Sequence, residues 1–219
     1  MSHQSYLTTE DPLDALCHHF NVSRARPPSN APLGPTFDLL VIKDARLPTH
    51  VLAVVQAEQN PDVSPLVVPI DVTLYSQGFR RNDFLQLQPS DTGAPVPHAG
   101  PNGQVISLPV TALTVPHTSS IPLLLLFGLG LEVNPNLMGD RLLPPNVIAE
   151  FPNAAAMAQV LSRINDGLFR RVYQYNQGLW KNVLALGLKD PALVRIVQTA
   201  WNVTVEARRI RTRTTSSRR

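Results

Sequence analysis

The stretch Gly178–Trp201, GLWKNVLALGLKDPALVRIVQTAW, holds two helices and the signal that separates them. Leu179, Val183 and Leu186 recur at four- and three-residue spacing, which places them on one face of a helix. Gly187 follows at once. Glycine adopts a positive φ without a steric penalty and so ends helices well. Asp190-Pro191 opens the next helix, with the carboxylate as N-cap and proline at the first helical position, where its missing N–H costs nothing. Val194, Val197 and Trp201 mark the buried stripe of that second helix. Two amphipathic helices in tandem each need a surface to bury against, so the C-terminal part reads as a packed helical layer.

Upstream the same logic continues. Asn153 is an N-cap for an Ala-rich run reaching about Ile164, with Met157, Val160, Leu161 and Ile164 as its apolar face. A further helix runs from Asp166 to Gln177, with Asp166 and Arg170 at i, i+4. Of the 21 prolines only Pro191 lies beyond Pro152. Proline blocks helix interiors, so the first two-thirds consists of short strands, short helices and loops while the last third is helical.

Within that first part, Asp11 and Pro12 start a short helix inside residues 5–20, and Leu13, Leu16, Cys17 and Phe20 share one face of it. Residues 21–35 carry four prolines with Ser, Asn and Gly and read as a linker. Three β-like runs follow: 37–42, 49–56 and 66–75, the last with Pro69 as an edge or bulge. Residues 43–46 suit a hairpin turn between the first two runs. Residues 76–104 read as an exposed loop, and 105–115 as one or two strands broken by Pro109. Ser119 or Ser120 then caps a leucine-rich helix with Pro122 in its first turn, ending near Leu131. That apolar run, Ile121–Leu131, is far shorter than the roughly 20 residues a bilayer requires, so a buried core helix is expected rather than a membrane partner. The polar Met1–Glu10 has no hydrophobic signal core, which points to a nuclear or cytoplasmic rather than secreted protein.

Charge divides the chain differently. Its net charge is +3, yet Arg208, Arg209, Arg211, Arg213, Arg218 and Arg219 all fall in the last twelve residues without an acid among them. Residues 207–219 therefore read as a basic disordered tail on a mildly acidic body. Three uses compete: a nuclear import signal, a solvated tail, or a nucleic-acid contact. No aromatic is interleaved with these arginines, which counts against a base-stacking surface.

A search for chemistry yields little. The single cysteine, Cys17, excludes an intramolecular disulfide and a Cys-based zinc site, and its phase puts it with core leucines. The six histidines form no metal-ligand spacing, and adjacent His18 and His19 point about 100° apart on a helix. No nucleophile elbow, phosphate loop or paired-carboxylate spacing stands out. Gly128-Leu129-Gly130, a bare G-x-G in an apolar run, suits close packing or a helix end. The expectation is a protein without catalytic residues, metal or cofactor.

The Gly178–Trp201 segment resembles the C-terminal signature of the clampless protein family of basidiomycete fungi, which carries G-L-W-[KR]-N-V-x-A-L-G followed by an acid-led helix with an A-W pair. The matching residues are Gly178, Leu179, Trp180, Lys181, Asn182, Val183, Ala185, Leu186, Gly187, Asp190, Leu193, Ala200 and Trp201. Residues 48–54 (PTHVLAV), 72–75 (VTLY) and 108–126 are similar to further family segments in the same order, the first two as strands. The resemblance spans 36–206 in patches. It implies a regulatory role in clamp-cell formation and dikaryotic growth, protein partners among transcriptional regulators of the mating-type pathway, and nuclear work assisted by the arginine tail. The residues themselves support a plainer reading: Gly178, Leu179, Trp180, Asn182, Gly187 and Trp201 as core positions that identify the fold. The expected architecture is a single α+β domain over 36–206: a small mixed or antiparallel sheet, the leucine-rich helix and a helical C-terminal set. Its element order resembles a BTB/POZ-like arrangement.

Overall fold

The computed structural model describes residues 5–27, 33–43, 45–58, 63–83, 85 and 95–216. The class is α+β, as the sequence indicates. Five strands, β1 (Thr36–Leu40), β2 (His50–Gln56), β3 (Leu66–Ile70), β4 (His98–Gly100) and β5 (Gly103–Val115), form one mixed sheet in the order β1-β5-β2-β3, with β4 also on β5. Among the described residues eight α-helices accompany it: α1 (Pro12–His19), α2 (Val72–Gly78), α3 (Ile121–Gly128), α4 (Pro135–Leu142), α5 (Pro145–Ile148), α6 (Ala154–Ser162), α7 (Asp166–Leu186) and α8 (Pro191–Ser216).

The first two β-like runs are not a hairpin. β1 pairs antiparallel with β5 through Leu39↔Ile106, while β2 pairs antiparallel with β3 and parallel with β5. Asp44, in the proposed turn, lies outside the described residues. β5 is a single thirteen-residue strand. Pro109 does not break it, because pairing changes there: β1 partners 105–109 and β2 partners 110–115. Pro69 sits in β3, the end strand of the sheet order, where a missing N–H is tolerated.

The run 66–75 also divides. Val72-Thr73-Leu74-Tyr75 is helical, against its β-rich composition. The Asp71 carboxylate accepts from Leu74 N at 3.0 Å and Thr49 Oγ1 accepts from Val72 N at 3.0 Å. Two satisfied N-terminal donors and a stacked Tyr75–Phe79 pair (centroids 4.7 Å apart) outweigh a weak strand preference. The expected loop 76–104 is thus shortened at both ends, by α2 and by β4–β5; 86–94 lie outside the described residues.

α3 is buried all round, from Ile121 to Phe127, and contacts α1, α2 and α7. A helix apolar on every face must sit inside the molecule. α1 closes one side of this core: Asp11 accepts from Leu13 N and Asp14 N, and Ala15, Leu16 and Phe20 are fully buried. Part of the expected linker is structured too, since Val22 bridges Val41 and Ser23 N donates to Leu40 O at 2.9 Å. Arg141 on α4 grips this N-terminal segment, donating to the carbonyls of Leu7 and Glu10.

In the C-terminal part, Asn153 caps α6 through Ala156 N at 3.1 Å, and Asp190 caps α8 through Ala192 N at 2.7 Å. The helix expected to end near Gln177 continues unbroken to Leu186, and Gly187 ends it with φ 65°. α8 does not stop at residue 206: it runs to Ser216, packed on α6, α7 and α4.

Candidate functional site: the signature junction and the arginine-rich helix end

The signature string places two residues one helical turn apart on α7, and together they hold the turn that carries β5 into α3. Asn182 is fully buried. Its side-chain amide pairs with the backbone of His117 in both directions: Nδ2 donates to His117 O at 2.6 Å, and His117 N donates to Oδ1 at 3.2 Å. Nδ2 also reaches Ser120 Oγ at 2.9 Å. Gly178 supplies the space. A Cβ there would lie 2.2 Å from the His117 ring, so only glycine lets α7 approach this closely. Burial lowers the His117 pKa, and its Nδ1 lies 3.0 Å from Ser120 Oγ.

The other end of the string makes a second junction. Arg80 N donates to Gly187 O at 3.0 Å, Arg81 N to Leu186 O at 3.1 Å and Lys189 N to Gly78 O at 2.9 Å, around a Phe79–Leu188 bridge. Gly128 belongs here as well, since a Cβ on it would lie 2.2 Å from the Phe79 ring. Leu179, Val183 and Leu186 fill the core between the two junctions. Trp180 is half-buried against that core, and Trp201 is half-buried against Tyr173, centroids 5.4 Å apart. Asn176 was not singled out from the sequence. It is buried, and donates to Leu142 O and Thr204 Oγ1, both at 3.0 Å, tying α7 to α4 and α8. The sequence signal is an amide in the apolar stripe between Val172 and Leu179.

The arginines of residues 207–216 are part of a helix, which corrects the expectation of a disordered tail for that span. Arg208 lies over the Tyr173 ring at 4.8 Å and donates to its hydroxyl at 2.6 Å. Arg211 lies over Phe169 at 4.5 Å, donates to the carbonyls of Ser162 and Ile164 at 2.8 Å each, and pairs with Asp166. Arg211 thus closes the C-terminal end of α6 and takes the acid that sequence spacing gave to Arg170. Arg209 pairs with Glu206 at 3.1 Å, and Arg213 is exposed. Arg218 and Arg219 lie outside the described residues. Aromatics do alternate with these arginines, but in space: Phe169 and Tyr173 come from α7, some forty residues earlier in the chain.

The division of charge moves accordingly. Residues 163–219 hold twelve basic and three acidic side chains, and residues 1–162 hold seven basic and thirteen acidic. Among the described residues, α7 and α8 carry eight of these twelve basic side chains.

Elsewhere the chemistry is that of a core. Cys17 is buried, and burial pushes its thiol up to about 12, far from a nucleophile at neutral pH. His19 is lowered by burial, while His18 Nδ1 lies 2.7 Å from Glu10. Among the described residues no three His, Cys, Asp or Glu side chains gather as a metal site. No helix among them is long and apolar enough to cross a membrane.

No curated protein and no solved structure matches the chain, so the BTB/POZ comparison remains an inference from element order. A family model does match: residues 136–219, which are the helical layer from α4 to α8, fit the clampless protein 1 C-terminal domain. The two junctions formed by Gly178, Asn182 and Gly187, and the arginine-closed α6–α8 packing, lie within the segment of the chain that is similar to the clampless C-terminal domain.

Proposed function

We propose that the chain is a regulatory protein of fungal sexual development, acting in clamp-cell formation and dikaryotic growth through contacts with other proteins and without catalysis of its own. The observation that carries this reading is the match of the whole α4–α8 layer to the clampless C-terminal domain. The signature residues support it in a second way. Gly178, Asn182 and Gly187 tie α7 to the turn before α3 and to the segment after α2, which suits a scaffold that presents a surface. Replacing the gene in the native host tests the reading. Loss of clamp cells in the dikaryon, restored by the intact chain, is the expected result; normal clamp cells in the deletion strain would contradict it.

A nucleic-acid role is the second reading, favoured by the charge gathered over residues 163–219. Its mark is binding that falls steeply with salt. Nuclear entry through the arginine-rich end belongs to the same proposal. It is tested by Arg213→Ala with Arg218→Ala and Arg219→Ala, which spare the packed Arg211; unchanged localisation of a tagged protein would remove it.

A further inference from the structure

The outer side of the α7–α8 pair has an unusual composition. Tyr173, Trp180 and Leu184 stand seven and four residues apart, hence on one stripe of α7. Tyr173 and Trp180 are half-buried, and Leu184 is 63% exposed. Trp201 of α8 packs on Tyr173 and widens the stripe across the seam between the helices. A leucine and two tryptophans reaching solvent on adjoining helices form the kind of patch that marks an interface. The polar rim is of one sign. Arg170, Lys181 and Arg208 are exposed beside it, and from residue 167 to 205 the only acid is Asp190, which is spent on capping α8.

We infer that this seam is the docking surface for an acidic amphipathic helix of a partner protein. The inference rests on the interaction role proposed above and names its site. A strip running along two antiparallel helices, apolar in the middle and cationic at the edges, complements a helix with apolar residues at i, i+3/i+4 and i+7 and carboxylates on its flanks. A nucleic acid fits less well. Arg208 lies over the Tyr173 ring and Arg211 over the Phe169 ring, so two of the rings a base would stack on are covered by the protein's own arginines. Leu184 offers nothing to a phosphate.

The test is selection of peptides from a random phage-displayed library on the immobilised full chain. The expected binders carry an excess of Asp and Glu around paired apolar residues. Synthetic copies of them should lose about tenfold or more in affinity for Leu184→Asp and for the double variant Arg170→Glu, Lys181→Glu. Both changes are at exposed positions, and unaltered circular dichroism and melting show that the fold persists. No enriched acidic amphipathic peptide, or binding indifferent to both variants, overturns the inference. So does a labelled single-stranded oligonucleotide that binds this seam in place of the peptides, its affinity lost in the charge-reversed variant. The deletion strain separates the two proposals. If clamp cells fail in the deletion but Leu184→Asp restores them like the intact chain, the surface is wrong and the role stands. If the deletion has no phenotype but the peptides bind as described, the role is wrong and the surface stands.

Discussion

α7 shows two different faces within one signature string. Its inner face is spent on the fold: Gly178 and Asn182 clamp the 117–120 turn, and Leu179, Val183 and Leu186 fill the core behind them. Its outer face, with Tyr173, Trp180 and Leu184, is left half-open although it is as apolar. Residues next to each other in sequence, such as Leu179 and Trp180, or Val183 and Leu184, therefore answer to different constraints. A family motif is not one site, and mutating along it should give responses that alternate with helical phase.

The comparison breaks most directly at Gly178. Gly178→Val forces a side chain into the His117 ring, and since the nearest atoms include His117 Cβ, the ring cannot simply swing away. A loss of about 3 kcal/mol or more in urea unfolding is expected. Asn182→Ala comes next. It removes one partner from three hydrogen bonds and strands the half-buried backbone of residue 117 and the buried Ser120 hydroxyl, for about 2–3 kcal/mol. Arg211→Ala sharpens the picture at the other end of α7. It opens the α6 end and uncovers Phe169, for about 1 kcal/mol, the exposed partner Asp166 adding little. If that variant were neutral, the arginine end would be a solvated extension after all.

The junction also makes stability depend on pH. His117 and His19 have folded-state pKa values lowered by burial, so below the ordinary value of 6.5 the unfolded chain takes up protons that the folded chain refuses. Stability is thus fully present above 6.5 and declines as pH falls. His117→Gln should flatten part of the slope below pH 6.5, seen in melting temperature against pH; an unchanged slope would exclude His117 as a source.

Much of the helical layer is legible in sequence because its signals are local. Asn153 and Asp190 caps, the Gly187 stop and the three- and four-residue spacing are all short-range, and each stands where the spacing places it. What stayed hidden was pairing across distance. β1 meets β5 and not its neighbour β2, and nothing in 37–56 specifies that. Val72–Tyr75 turns helical because Thr49, twenty-three residues away, satisfies Val72 N. The arginines of 207–216 look like a tail because their aromatic partners lie on another helix. At the candidate site, the signature residues could be named from the string, but the string does not reveal that Gly178 and Asn182 serve one turn while Leu184 serves none.

That division is the central claim, and one measurement addresses it: equilibrium urea unfolding of Asn182→Ala beside Leu184→Asp, two residues apart on the same helix. The inner variant should lose about 2–3 kcal/mol, and the outer one no more than about 1 kcal/mol, the cost of an Asp in the last turn of a helix. Equal destabilisation by both would contradict the account, because Leu184 would then belong to the fold and the outer face of α7 would not be free to bind.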